Sequence, residues 1–191
     1  MLDNQNITET HHKLAQQKTK TSQKIWNKYE ERILNLFEEI YKIKIPEKNI
    51  RTFVSLTAPI SFSYPLTISL RHFLDIEKNP RSQRAFIYVI IHELAHYFAY
   101  TRPKNTLFNK LYNHVQKLNL LGTHGANLHY LIQAVEFGII GEVFGPGYAN
   151  FARNWAIEKS KSSEYSKSAK KLKEDNVPLD KTCLQYISKL L

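Results

Sequence analysis

Val89-Ile90-Ile91-His92-Glu93-Leu94-Ala95-His96-Tyr97-Phe98 is the stretch from which the rest of the chain is read. It contains H-E-x-x-H. Residues four apart on a helix leave the same face one turn from each other, so the imidazoles of His92 and His96 can grip one metal ion. Glu93 adjoins the first of them, where its carboxylate can hold an attacking water and take its proton. The flanks suit a buried helix, because no residue from Ala85 to Ile91 or from Tyr97 to Tyr100 carries a formal charge. A carboxylate alone in such a helix is costly to desolvate, so Glu93 calls for a cation beside it.

Val89 to Phe98 resembles the extended signature of the zincin metallopeptidases, with apolar or uncharged residues before His92, between the histidines apart from Glu93, and after His96. The match lies in this one helix, and elsewhere only the order of elements is similar. The resemblance implies a zinc-dependent hydrolase of peptide bonds that takes a peptide or protein substrate, holds one zinc ion and uses Glu93 as general base. The fold expected is α+β and mostly helical: a zincin-like single domain with a small N-terminal sheet and an active-site helix pair. The competing expectation is a non-catalytic binding or regulatory module on the same scaffold.

A catalytic zinc takes three protein ligands and leaves a fourth position open. The compact metzincin arrangement is excluded, since Ala99 and Arg102 stand where its glycine and histidine belong. Glu136 is the leading candidate, being a carboxylate in an otherwise apolar segment from Asn127 to Phe144, where a cation would offset its burial. A histidine-bearing helix followed by a glutamate-bearing one is similar to the gluzincin plan, and Gly138 and Gly141 would allow close helix approach. One departure is Ile140, which stands where thermolysin-like enzymes place an acidic residue. His129 is the alternative ligand or an oxyanion donor, since seven residues before Glu136 it shares that face within about 20°. Tyr148, in the turn after this segment, is a second candidate oxyanion donor. Gly122-Thr123-His124 has a faint likeness to aspzincins, but Asn127 stands where an aspartate is needed.

The remaining sequence sets the frame. A chain of 191 residues suits one core, read as a flexible polar tail (1–22), the metallopeptidase domain (23–150) and a basic helical C-terminal extension (151–191). The formal charge of +10 is spread over lysines near both ends, which reads as solvated surface. No patch, recognition helix or aromatic–basic repeat points to nucleic acid. Cys183 is the only cysteine, so an intramolecular disulfide is impossible and a reducing compartment is favoured. Met1 to Asn6 shows no signal-peptide pattern and no run is long and apolar enough for a membrane span, giving a cytoplasmic expectation with other export routes open.

Steps of three and four through Trp26, Tyr29, Ile33, Phe37 and Ile40 predict one helix from Ser22 to Tyr41, ended by Pro46. Alternation from Ile50 to Leu70 predicts short strands broken at Pro59 and Pro65, with Thr67 to Phe73 as a candidate edge strand for extended substrate. Asn79-Pro80 starts the active-site helix, which stops before Pro103. Further helices are predicted over Leu107–Leu118, Asn127–Phe144 and within Pro178–Leu191.

Overall fold

The computed structural model describes residues 4–45, 50, 52–56, 58, 61–63, 66–70, 73–101, 106–159 and 163–191. The prolines expected to end elements, Pro46, Pro59, Pro65 and Pro103, lie outside the described residues. Within them the chain forms α1 (Asn4–Trp26), α2 (Glu30–Tyr41), β1 (Phe53–Ser55), β2 (Phe62–Ser63), β3 (Leu66–Ser69), α3 (Pro80–Thr101), α4 (Leu107–Leu118), α5 (His124–Phe144), α6 (Pro146–Lys159), α7 (Ser163–Glu174) and α8 (Cys183–Leu190). It is a mostly helical α+β structure with one small sheet. No helix among the described residues is long and apolar enough to cross a membrane.

The molecule is built around α5. Every residue from Ala126 to Gly141 is buried except His129, so this helix has no solvent face and must be wrapped on all sides. Helices α2, α3, α4, α6, α7 and α8 pack around it. Local chemistry sets its ends. Thr123 caps it by accepting a hydrogen bond from the Ala126 amide at 3.1 Å, and Gly145, at φ 91°, lets the chain turn sharply into α6 with Pro146 in that helix's first position. Gly138 and Gly141 do allow a close approach, but to the segment before α8. A Cβ on Gly138 would stand 2.6 Å from the Asp180 carbonyl oxygen, and one on Gly141 would collide with that of Leu179.

Helix α3, which carries the His92–His96 motif, begins where Asn79 Oδ1 accepts from the Arg81 amide at 2.9 Å. Its back is fixed by the buried Tyr41, whose hydroxyl donates to the Ala95 carbonyl at 2.9 Å and whose ring stacks on Phe108. The sheet has the order β1-β3-β2, with β3 parallel to β1 and antiparallel to β2. This corrects the edge-strand expectation. Leu66–Ser69 is the central strand, buried through Leu66, Ile68 and Ser69, and both of its hydrogen-bonding sides are taken.

Two further expectations change. The predicted helix Ser22–Tyr41 is broken at Asn27–Tyr29, and its first part belongs to a helix reaching back to Asn4. Residues expected in the polar tail are tied down there: Lys18 Nζ donates to the Leu74 carbonyl and pairs with Glu77 at 2.5 Å. Within the C-terminal extension, α7 and α8 bury Ala169, Leu172, Cys183, Leu184 and Ile187 in the common core.

Two measurements test this packing. Gly141→Ala should lower unfolding free energy by about 1–3 kcal/mol, read from urea denaturation, since the added methyl group overpacks a backbone contact. The hydrogen bond from Lys18 holds the Glu77 carboxyl below its ordinary value of 4.5. A carboxyl depressed in the folded state stabilises above its unfolded pKa and loses that contribution as pH falls through the folded one. The stability difference between wild type and Lys18→Ala should therefore be present at pH 7 and shrink as pH drops below about 4.3; a difference that does not change with pH would deny the pair its role.

Candidate metal centre

Helix α3 presents His92 and His96 toward α5, and α5 answers with His129 and Glu136 on one of its own faces. The imidazoles of His92, His96 and His129 each offer a nitrogen, and these atoms lie within 4.8 Å of one another. His92 and His129 are parallel with centroids 5.9 Å apart. His96 meets both edge-on, at 4.8 Å and 5.1 Å. This is the one such group of three or more potential ligands among the described residues.

The ring orientations are set from behind. Glu136 Oε2 lies 2.6 Å from His92 Nδ1, and the Gly125 carbonyl lies 3.0 Å from His129 Nδ1. With those nitrogens donating, the Nε2 atoms of both rings are left as lone-pair donors, which is the tautomer a metal requires. Sequence reasoning put Glu136 in the third ligand's place and kept His129 as the alternative. The structure gathers His129 with the two motif histidines and sets Glu136 at the far nitrogen of His92. The reason is axial. Seven residues separate the two by about 10 Å along α5 although they share its face, so only one of them can stand level with the His92–His96 pair.

Glu136 is fully buried, and its second oxygen is satisfied from α7, where the Tyr165 hydroxyl donates to Oε1 at 2.7 Å. The Tyr88 and Tyr165 hydroxyls share a further hydrogen bond. Burial, followed by the nearby Glu136 charge, holds both phenols well above the usual tyrosine range, so they remain protonated donors. Tyr165 also lies edge-on to His92 at 5.5 Å and to His129 at 5.7 Å. Helix α7 is locked in place by Gln133, whose amide donates to the Tyr165 carbonyl at 3.0 Å, and by Ser168, which donates to the Ala126 carbonyl at 2.7 Å.

Burial favours the neutral form at two of the three imidazoles. Burial, then His92 and His129, push the His96 imidazole down to about 3; burial and then His92 lower His129. For His92 burial pulls downward, but the Glu136 carboxylate overcomes it and the net shift is upward. The Glu93 carboxyl is raised by burial, with His92 lowering it and Glu136 raising it. Neutral imidazoles are what a divalent ion binds, and a half-buried carboxylate of raised pKa can both accept a proton and return it. Three imidazole nitrogens this close together could hold a metal ion.

Other sequence candidates lie elsewhere. Tyr148 packs against Phe144 and Phe151, with the Arg84 guanidinium 5.5 Å over its ring. Asn127, the aspzincin-like position, is structural: its Oδ1 accepts from the Leu121 amide at 2.8 Å. His124 bonds the Tyr112 hydroxyl at 2.8 Å. Tyr165 was missed, since one tyrosine in a Lys- and Ser-rich segment has no motif around it. The only signal was that Glu136, buried in an apolar helix, needed donors from somewhere.

No family model, curated protein or solved structure matches this chain. The site's own geometry generates a test that needs no metal: Tyr165→Phe removes the donor to Glu136 Oε1 and should lower unfolding free energy by about 1–3 kcal/mol in chelator-treated protein. An unchanged urea midpoint would mean that the buried carboxylate is satisfied without α7.

Proposed function

We propose that the chain is a zinc-dependent hydrolase of peptide bonds, with His92, His96 and His129 holding the ion and Glu93 acting as general base. The observation that carries this reading is the gathering of three imidazole nitrogens within 4.8 Å of one another, with Glu93 next in sequence to one of them and interacting electrostatically with it. Any of several divalent metals suits imidazole nitrogen; zinc and the peptide bond come from the resemblance of Val89–Phe98 to zincin helices.

A zinc ion bound there supplies a Lewis acid that polarises the scissile carbonyl and makes water more acidic. The chain's own residues do the rest. Glu93 takes the proton of the attacking water on its carboxylate and passes it to the departing nitrogen as the carbon–nitrogen bond breaks. Glu136 keeps the His92 ring in the tautomer that leaves Nε2 free, and the Gly125 carbonyl does the same for His129. Tyr165 acts through Glu136 and is a positioning residue. Tyr100 is stacked on His96 at 6.1 Å and is largely exposed.

The test compares wild type with Glu93→Gln on a quenched-fluorescent peptide library in the presence of zinc. Zinc stoichiometry should stay at one per chain while kcat/KM falls by roughly 10² to 10⁴. Zinc-dependent cleavage that survives the substitution, or wild-type protein that cleaves nothing while holding zinc, would overturn the peptidase reading.

A further inference from the structure

On the side of α3 turned away from the histidines, a cavity of about 260 Å³ lies between α1, α2 and the sheet. Its floor is apolar, formed by Leu34, Ile68, Phe86 and Ile90, and its mouth is polar, with Gln23 and Thr52. Two features give it chemical character. Ser22, 3% exposed, lines it, and its hydroxyl has no hydrogen-bond partner among the described residues. Glu30 also lines it, beside Trp26, and among the described residues no lysine or arginine does.

We propose that this cavity binds a compact apolar amine, its ammonium group directed to Glu30 and its hydrocarbon part seated on the floor. The Glu30 carboxylate calls for a hydrogen-bond donor, and an ammonium has three; the Ser22 hydroxyl, which can accept as well as donate, offers a further polar contact. The Trp26 ring suits a cation as well. A dry cavity of about 150 Å³ accommodates benzene, so this one holds about ten non-hydrogen atoms, the size of an arylalkylamine. Leu94, which also lines the cavity, stands about 160° around α3 from both His92 and His96, so the site is separate from the histidine cluster and its test needs no catalysis.

Titration calorimetry on the full chain with phenethylamine, 2-phenylethanol and 3-phenylpropionate compares one frame carrying positive, neutral and negative ends. Phenethylamine should bind saturably at one site and about five-fold or more tighter than the alcohol, as a partly buried ion pair would give, while the acid should not bind. Glu30→Gln should bring the amine and the alcohol to equal affinity. Leu34→Trp should fill the floor and abolish binding; should that variant fail to fold, Glu30→Gln alone decides, since Glu30 is half-buried at the rim. Absence of saturable amine binding, an acid that binds as well as the amine, or an amine preference that survives Glu30→Gln would overturn the proposal.

Discussion

The carboxylate of Glu136 is the constraint on which the rest depends. It sits with no solvent exposure in the most apolar helix of the molecule, where an unpaired charge would cost several kcal/mol. The fold meets that cost from two directions, with His92 Nδ1 at 2.6 Å and the Tyr165 hydroxyl at 2.7 Å. The first contact fixes how α3 and α5 lie against one another. The second requires α7 to close over α5, so residues more than sixty positions beyond the motif in sequence belong to its surroundings. Once α3 and α5 are held in that register, His129 falls beside His92 and His96 with no further adjustment.

Helix α3 accordingly serves two masters. One face carries imidazoles and the Glu93 carboxylate; the other is held by aliphatic and aromatic packing and by the Tyr41 hydroxyl on the Ala95 carbonyl. A hydrogen bond to the backbone between the two histidines ties their spacing to the core, which is how a site built on a helix keeps its geometry better than one built on a loop. The wrapping of α5 by six helices gives His129 the same rigidity.

Much of this was legible in the residues. The Asn79-Pro80 start predicted α3, and the observed helix Pro80–Thr101 agrees. The helix at Leu107–Leu118 agrees as well, as does the buried character of the segment containing Glu136. What helical periodicity cannot supply is depth. It placed His129 and Glu136 on one face, but which stands level with the motif depends on how two helices slide past each other, and that is decided by tertiary contacts. The same limit hid Tyr165, whose role exists only because α7 packs on α5, and misplaced Thr67 to Phe73, since strand order within a sheet leaves no mark on a single strand. The N-terminal residues looked unable to bury anything, and Lys18 shows why composition misled: its long stem and ammonium are buried against Glu77 and a carbonyl rather than solvated.

The central claim is that three imidazoles hold the ion while Glu136 stands behind one of them. X-ray absorption at the zinc edge of metal-loaded protein tests it most directly. The account requires three imidazole nitrogens at about 2.0–2.1 Å with one further light atom from solvent, unchanged in Glu136→Gln. A spectrum fitted by two imidazoles and a carboxylate, converting on Glu136→Gln to two imidazoles and solvent, would contradict it.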